Sequence, residues 1–280
     1  NYWIQLDSIV YEGANNQNNP YYSLYNDTAT YFLTVTSSLN NARFTIETDT
    51  SVSSYAKNNF IWKEALQNYN SYYYDGQTNI YGGTEAKYHF SEGWFDSPVN
   101  LGGTKYYNIS TPNYTTSANV ELKFSFCGES DYQQIATGDH HIEVSIGSTV
   151  LMDTVFEGYK KIDGNIAILP SLLNNTTTVK FKSVNDLGAT TERSAIGYIS
   201  ILYPYNQNAN NANEFIFYTD DAGSGKYRVD ITNFTNANPV IYDLTNNKRI
   251  NTHFYNNTVQ ALIPNGGGRK KCILINDNGV

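Results

Sequence analysis

Apolar and polar residues alternate with a period of two through most of the chain. This spacing is typical of half-buried strands, because successive side chains of a strand point to opposite faces of the sheet. In the first half of the chain it occurs in WIQLDSIVY (3–11), TYFLTVTS (30–37), RFTIETD (43–49), AKYHFSE (86–92) and ANVELKFSFC (118–127). It continues in HIEVSI, TVLMDTVF, TTVKFKSV, AIGYISILY, EFIFYT, YRVDI, PVIYDL, VQALI and KCILIN. The pattern therefore predicts about fourteen strands.

One stretch favours a helix instead. In NNFIWKEALQNYNSYY (58–73), Ile61, Ala65, Leu66 and Tyr69 recur at helical spacing after an Asn-rich start. We expect one short helix near residues 60–70 in an otherwise all-β chain. Turn-forming residues separate the strands at short intervals and no blade motif repeats. The chain is therefore expected to form β-sandwich or jelly-roll modules and not a propeller.

Two breaks rich in Asn or Gly suggest how the strands are grouped, one at 72–87 and one at 203–215. Between them lies about the length of one sandwich. We therefore predict a jelly-roll-like β-sandwich over 86–205, inserted between an N-terminal β segment with the short helix, 1–85, and a C-terminal β segment, 206–280. Each outer segment is small for a core of its own, so we expect the two to pack together.

Composition supports this fold class and excludes some partners. Among 280 residues there are 25 tyrosines, and charged residues make up only 16%. The net charge is -8 and the isoelectric point is near 5.0. Binding to nucleic acid is not expected, because phosphate contacts need clustered Lys and Arg. No transmembrane segment is expected either, because no apolar run approaches the length that spans a bilayer.

The chain has two cysteines, Cys127 and Cys272, far apart in sequence and without the spacing of a zinc site. Both lie in strand-like runs, so buried structural thiols are expected, and a disulfide between them stays open. The chain begins at Asn1 without an initiator Met or a signal peptide, so we interpret it as a mature form or an excised region.

Two of the four histidines are adjacent, in GDHHIEVSIGSTVLMD (138–153). On a strand, His140 shares a face with the isoleucines that follow and His141 lies on the other face. We expect His140 to be buried with a lowered pKa, and His141 to face solvent. Asp139 and Asp153 are expected at the surface. Neighbouring strand residues cannot easily ligate one ion, so no metal centre is predicted here.

No other motif carries catalytic chemistry. There is no G-x-S-x-G turn, and the glycine-rich run NGGGRKK (265–271) lacks the phosphate-loop spacing, so a loose hairpin is expected there. The acidic run YTDDAGSGKYRVD (218–230) lacks the spacing of an EF-hand loop with its closing Glu, and calcium binding there stays open. Carboxylate pairs of a glycosidase depend on three-dimensional distances and stay open. We predict no catalytic residue, no metal ligand and no cofactor in this chain.

Two residues are candidates for ligand binding. Trp94, in EGWFDSP (92–98), is the rigid aromatic type that stacks on sugar rings. His141 is the second candidate, since it is expected on the solvent face. Aromatic residues of all-β proteins also form the core and cross-strand pairs, so the structural interpretation of Trp94 stays open.

Several stretches together resemble a known family. They match, in this order, the region ahead of the catalytic domain in PorU-like sortases, the gingipain-like cysteine peptidases of the type IX secretion system of Bacteroidetes. The most specific stretch is NPYYSLYNDTATYFLTV (19–35). The others are FSEGWF (90–95), HHIEVSIGSTVLMD (140–153), IGYISILYPY (196–205) and VIYDLTNNKRI (240–250).

The catalytic residues of that family do not carry over. The resemblance implies a histidine followed by glycine and then, later in the chain, a cysteine, in an α/β domain. Here the residues that follow the histidines are Phe90, His141, Ile142 and Phe254. Cys127 also precedes the histidine pair. The resemblance therefore implies a non-catalytic region, with the enzyme expected beyond Val280.

Three functions follow as hypotheses. The first is a non-catalytic accessory region of an exported peptidase at the outer membrane, cell surface or periplasm of a Gram-negative bacterium. Its partners would be its own downstream catalytic domain and components of the secretion system. The second is a carbohydrate-binding jelly roll of a cell-surface protein, with a glycan as partner. The third, an independent enzyme, requires a charged cleft that the sequence does not display.

Overall fold

The chain is all-β, as predicted. The computed structural model describes residues 17–22, 24, 44–79, 81–85, 88–134, 138–235 and 238–277. Within these residues the only helical elements are two 3-10 turns, Val52–Ser54 and Pro170–Leu172. No described helix has the length and apolar character needed to cross a membrane.

Nineteen strands are described. They are β1 (Thr45–Glu47), β2 (Ile61–Asn68), β3 (Tyr72–Asp75), β4 (Glu92–Phe95), β5 (Val99–Asn100), β6 (Thr104–Ser110), β7 (Val120–Gly128), β8 (His140–Ile146), β9 (Thr149–Phe156), β10 (Lys161–Ile168), β11 (Thr176–Ser183), β12 (Arg193–Tyr205), β13 (Glu214–Thr219), β14 (Lys226–Thr232), β15 (Pro239–Asp243), β16 (Lys248–Ile250), β17 (His253–Tyr255), β18 (Thr258–Pro264) and β19 (Lys270–Asn276).

The chain divides into two compact units, and the segments that form one unit alternate along the sequence with those that form the other. The first unit comprises 1–34, 65–111 and 120–201, and the second comprises 35–64, 112–119 and 202–280. The boundaries fall within β2 and within β12. The division into segments 1–85, 86–205 and 206–280 stays a prediction about which parts fold independently.

In the first unit, two sheets carry most of the strands. One is a four-stranded antiparallel sheet with the order β6-β11-β8-β9, and the other has the order β2-β12-β7-β10, with β5 pairing with β12. A hairpin of β3 and β4 adds a small third sheet. The sandwich arises because β7, β8 and β11 each present an alternating apolar face.

Aromatic rings join the two sheets of the first unit. Phe126 of β7 lies edge-on to Phe181 of β11, with ring centroids 5.0 Å apart, and its ring is 6.0 Å from that of Phe156. Phe181 and Phe126 are fully buried. Across β7, Gly164 of β10 leaves room for the Phe124 ring, since a Cβ there would lie 2.2 Å from it. Burial of these rings supplies much of the hydrophobic stabilisation of this unit.

The second unit is also a sandwich. Its larger sheet has the order β1-β16-β15-β19-β13-β2, in which β1 pairs with β16 in parallel. A three-stranded sheet with the order β14-β18-β17 packs against it through contacts of β18 with β15 and β16. The fully buried core includes Phe217, Val229, Ile231, Ile241, Ile250, Val259, Cys272 and Leu274.

The predicted helix near residues 60–70 is wrong, because these residues form strand β2. Trp62 pairs with Tyr218 of β13, and the Lys63 amine donates to the Ile216 carbonyl at 2.6 Å. Lys63 also lies 4.2 Å over the ring of Phe215. Because Ile61 and Trp62 are consecutive in β2 and both buried, the apolar residues of this strand are not confined to one face. The resulting spacing of apolar residues resembles that of a helix. Pairing with the neighbouring strands nevertheless makes this segment a strand.

Most of the predicted strands that lie within the described residues are confirmed in place. The predicted strands 3–11 and 30–37 lie outside the described residues. The predicted strand 86–92 is wrong over its described part, because 88–91 form no strand and β4 begins only at Glu92. Apart from β2, seven described strands were not predicted: β3, β4, β5, β6, β10, β16 and β17. In β10, Asp163, Gly164 and Asn165 interrupt the apolar alternation, which explains why the pattern was missed.

Phe181→Ala should destabilise the protein by about 3–5 kcal/mol, because it removes a fully buried ring and leaves a cavity between the two sheets of the first unit. Urea unfolding monitored by circular dichroism measures this loss. As a matched control, Tyr106→Ala on β6 removes a ring that is 66% exposed. Its effect should stay within about 0.5 kcal/mol. Equal effects of the two substitutions would contradict the proposed core.

Candidate functional site

The first histidine of the adjacent pair lies in the core of the first unit. Its Nε2 atom donates to the Ser130 carbonyl oxygen at 2.9 Å, and its Nδ1 atom shares a hydrogen bond of 3.1 Å with the Ser194 hydroxyl. The Phe156 ring stacks on the imidazole with centroids 4.6 Å apart. Gly128 passes so close that a Cβ there would lie 2.9 Å from Nε2. His140 is fully buried, as its place on the apolar face of β8 predicts.

Two buried carboxylates lie beside this ring. Asp139 Oδ1 is 3.5 Å from Nε2 and Glu192 Oε1 is 3.7 Å from Nδ1. Burial lowers the pKa of His140, but Glu192, the Ser130 carbonyl and Asp139 together raise that pKa further than burial lowers it. The expected lowering of the His140 pKa is therefore wrong. The alternation of β8 shows which face a residue occupies, but not which charges fold against that face.

Asp139 is buried, so its predicted surface position is also wrong. Its Oδ2 atom accepts from the Tyr132 backbone N–H at 2.6 Å, and its Oδ1 atom accepts from the Gly158 N–H at 2.7 Å. These bonds replace the water that the carboxylate loses on burial. Asp139 thereby ties the loop after β7 to the turn after β9.

A serine, a histidine and carboxylates at close range are also the components of a hydrolytic triad. In this cluster, Ser194 and His140 are both 0% exposed, so a substrate cannot reach the hydroxyl. The second ring nitrogen of His140 is bound to a backbone carbonyl, which leaves no direct bond to a carboxylate. The arrangement thus positions loops and strands and does not form an accessible active site.

A further buried carboxylate, Glu129, follows β7 directly. Its Oε2 atom is 3.3 Å from Arg193 Nη2, and its buried Oε1 atom has no hydrogen-bond partner among the described residues. Arg193 also donates to the Tyr72 hydroxyl at 3.1 Å. Burial raises the pKa of Glu129 to about 7, although the charges of Arg193 and Lys105 lower it.

The importance of Glu129, Glu192, Arg193 and Ser194 was not recognised from the sequence. Their only signal is that charged or polar residues directly follow an apolar run in FCGES (126–130), or directly precede one in TERSAIGY (191–198). Such positions are usually exposed strand ends. Only the fold brings the two stretches together, by pairing the Glu129 N–H with the Arg193 carbonyl oxygen at 2.7 Å.

The second histidine lies on the outer face of the same strand. His141 Nε2 is 2.7 Å from Asp153 Oδ1, and His141 Nδ1 is 2.7 Å from Asp186 Oδ1. Asp153 lies at the surface, as predicted, whereas the His141 side chain is only 13% exposed. Both ring nitrogens are engaged by carboxylates. A ligand at His141 would have to displace one of them, and its role as a binding residue stays a prediction.

Trp94 lies on β4 opposite Tyr73 of β3. The two rings meet edge to face with centroids 5.1 Å apart, and the Tyr22 ring packs edge-on at 5.8 Å. Trp94 is half-buried. It therefore belongs to a cross-strand aromatic cluster, and binding of a sugar by its remaining exposed surface stays a prediction.

Both cysteines are free and fully buried. Burial, together with the nearby charge of Glu129, raises the pKa of the Cys127 thiol well above its ordinary value. Burial also raises the pKa of Cys272, and Asp243 adds to the shift. A thiol acts as a nucleophile through its thiolate, which both environments disfavour.

The glycine-rich run 265–271 is held by a carboxylate of the chain. The backbone N–H groups of Gly266, Gly267 and Gly268 each donate to Asp221 at 2.9 Å. The buried Lys270 amine donates to the same carboxylate at 2.6 Å. These donors lower the pKa of Asp221 to about 2. Asp221, from the acidic run 218–230, thus occupies the anion-binding position that the loop forms.

The fold and this geometry define the class of protein: an all-β region that consists of β-sandwiches, with buried thiols and a buried histidine–serine cluster. No protein-family model matches the chain, and no curated protein matches its sequence.

The fold is similar to that in the crystal structure of dimeric latent PorU from Porphyromonas gingivalis. The TM-score is 0.55 with 10% sequence identity, over 79% of this chain and 20% of that chain. The chain thus spans about a fifth of the length of the PorU chain. The fold expected from the sequence resemblance is confirmed.

A crystal structure of FMN-binding beta-glucuronidase from Facaelibacterium prausnitzii L2-6 also aligns with 79% of this chain and 35% of that chain. Its sequence identity is 13% and its TM-score is 0.24. A score of this size does not indicate a shared fold.

Glu129→Gln should remove a pH-dependent loss of stability. The folded pKa of about 7 lies above the ordinary 4.5, so the stability that Glu129 contributes is complete below pH 4.5 and is lost as the pH rises through 7. The loss is up to about 3 kcal/mol. Urea unfolding from pH 4.5 to 8 should show the variant gaining stability relative to wild type as the pH rises.

Glu121→Gln, on the outer part of β7, is the matched control and should follow the wild-type pH dependence. A Glu129→Gln variant with the same pH dependence as wild type would show that the pKa of Glu129 does not differ between the folded and unfolded states.

If Trp94 binds glycans, titration with soluble glycans should change the tryptophan fluorescence in a saturable way, because a stacked sugar ring alters the surroundings of the indole. Trp94→Phe should abolish the change, while the buried Trp62 keeps its emission. An unchanged wild-type spectrum across a broad glycan panel would remove Trp94 from the binding residues.

Proposed function

We propose that the chain is a non-catalytic accessory region of a PorU-like, gingipain-like cysteine peptidase. The observation that carries the proposal is the similarity in fold to PorU over 79% of this chain, at a length of only 20% of the PorU chain. A region of this size leaves most of such a protein, including a catalytic domain, to other parts of the polypeptide.

The environment of the thiols supports a non-catalytic role. A cysteine peptidase needs an accessible thiolate with a base within hydrogen-bond reach. Cys127 and Cys272 are each 0% exposed, and burial raises the pKa of both. They are the only cysteines in the chain. Neither therefore offers a nucleophile to a peptide.

The histidines support the same conclusion. His140 is enclosed by the core and His141 is engaged by two carboxylates. His89 lies 3.5 Å from Glu85, and His253 shares a hydrogen bond of 3.2 Å with Gln260. None of the four is followed by the glycine of the gingipain-like pattern.

In this proposal the region supports the catalytic domain of its own polypeptide or presents substrate to it. The parent protein is then exported, and resides at the outer membrane, the cell surface or in the periplasm of a Gram-negative bacterium. Its further partners are components of the secretion system. A glycan is the alternative partner, which the Trp94 titration addresses.

The isolated 280-residue chain should not hydrolyse a panel of fluorogenic peptides ending in Arg, Lys or Ala, with or without reductant. Its two thiols should react with a chromogenic disulfide reagent only after denaturation, because both are buried in the native state. Turnover that disappears in Cys127→Ser or Cys272→Ser would overturn the proposal, since it would show that this chain is itself the enzyme.

A second measurement tests the accessory role directly. The catalytic part of the same polypeptide, expressed separately, should bind the isolated chain in sedimentation velocity. A maltose-binding protein of similar size serves as the control. Absence of binding, with both partners folded by circular dichroism, would argue against a supporting contact between them.

A further inference from the structure

Outside the core, His141 is an ionisable side chain with a carboxylate at each ring nitrogen. It thereby joins three parts of the first unit. The residue itself is the second of β8, Asp153 belongs to the paired strand β9, and Asp186 lies in the loop 184–192 between β11 and β12. Each ring nitrogen is 2.7 Å from a carboxylate oxygen. The imidazole is largely enclosed while both carboxylates are at least half exposed, with side-chain exposures of 59% for Asp153 and 50% for Asp186.

This geometry requires a particular protonation state. An ionised carboxylate only accepts hydrogen bonds, whereas a neutral imidazole carries one N–H donor and one lone pair. Two short contacts to carboxylates are therefore both attractive only when the two ring nitrogens both carry hydrogen. The arrangement is that of an imidazolium held between two anions, and charge-assisted bonds of this kind are among the stronger ones.

We propose that His141 is a pH-dependent clamp, which as an imidazolium holds the loop 184–192 and strand β9 to the start of β8, and which releases one of the two carboxylates when it loses its proton. The inference does not depend on the accessory role proposed above.

The other charges around the ring leave this clamp intact. On its own strand, Glu143 lies two residues further along the same face, and Lys182 of β11 neutralises it at 3.0 Å. On the opposite face of β8, His140 is directed into the core toward Asp139 and Glu192. The charged groups that contact His141 itself are thus Asp153 from β9 and Asp186 from the loop.

The net shift of the His141 pKa also favours the protonated ring. Partial burial lowers the pKa of His141, but the hydrogen bonds and charges of Asp186 and Asp153 raise it further, so the net shift is upward. A folded pKa above the unfolded value means that the stabilisation is complete below about pH 6.5 and is lost as the pH rises through the folded pKa. The clamp is therefore closed in acid and opens toward alkaline pH.

The loop that the clamp holds connects the two sheets of the first unit. The Val184 N–H donates to the His141 carbonyl at 2.8 Å, and the Leu101 N–H donates to the Glu192 carbonyl at 3.0 Å, which fixes both ends. Asp186 adds a side-chain bond between these ends. When Asp186 is released, the middle of the loop becomes more mobile, while the backbone hydrogen bonds at its two ends stay in place.

The test is carried out on the whole 280-residue chain. NMR titration of the histidine side chains from pH 5 to 10, with the His141 signal assigned by its absence in His141→Gln, should place the His141 midpoint above the ordinary ~6.5. Backbone order parameters of residues 185–188 from 13Cα relaxation, which does not use the exchanging amide protons, should fall as the pH passes that midpoint.

Asp186→Asn gives the sharper result. Its amide can donate to the bare nitrogen of a neutral imidazole while the other ring nitrogen still donates to Asp153. The variant should therefore have a lower His141 midpoint, and the order parameters of 185–188 should no longer fall at high pH. Asp163→Asn, an exposed carboxylate of β10 paired with Lys161, is the matched control and should leave both readouts unchanged.

A wild-type midpoint at or below about 6.5 would overturn the clamp, because it would show that the imidazole gains nothing from the two carboxylates. Order parameters of 185–188 that do not change across the titration would overturn the release of the loop. Both readouts are measured on the wild-type chain, and a variant is needed only to assign the His141 signal.

Discussion

The alternation of side chains at the start of β8, before its register shifts between Val144 and Ser145, is the constraint on which the local structure of the first unit depends. Two consecutive histidines cannot lie on the same face of a strand, so the chain places one in the core and the other on the outer face. His140 then becomes part of the contact between the sheets, through its hydrogen bond of 3.1 Å to Ser194 of β12. His141 becomes a link between a neighbouring strand and a loop. The two adjacent histidines thus stabilise both faces of this sheet, His140 on the inner face and His141 on the outer face.

Burying charge in such a core is costly, and the fold offsets this cost to different degrees. Asp139 receives two backbone N–H groups and lies near an imidazole. Glu192 accepts from the Ser183 hydroxyl at 2.7 Å with one oxygen, while the other oxygen only approaches His140. Glu129 is 3.3 Å from Arg193 through one oxygen, while its other oxygen, like Oε1 of Glu192, has no hydrogen-bond partner among the described residues. Burial favours the protonated form of Glu129, which is the physical reason for the raised pKa of this residue.

The same network encloses the groups of this chain that resemble catalytic residues. Catalysis needs a nucleophile and a base that a substrate can reach, whereas the serine, the histidine and both thiols of this chain are enclosed by aromatic and aliphatic side chains. The second unit shows a parallel case, in which a glycine-rich loop able to hold an anion is filled by Asp221 of the same chain. An accessory region with the fold of part of PorU accounts for these features without requiring chemistry from them.

The sequence by itself determined the all-β class, the positions of most described strands, the burial of His140 and of both thiols, and the resemblance to the PorU-like family. It could do so because burial of one strand face imposes a period of two, which is written directly in the order of residues. Tertiary structure alone decided that 61–68 is a strand, that Asp139 is buried, and that Glu129, Arg193 and Asp186 meet their partners. These outcomes depend on groups distant in the chain, and a local pattern carries no information about which distant charge or strand will fold against it.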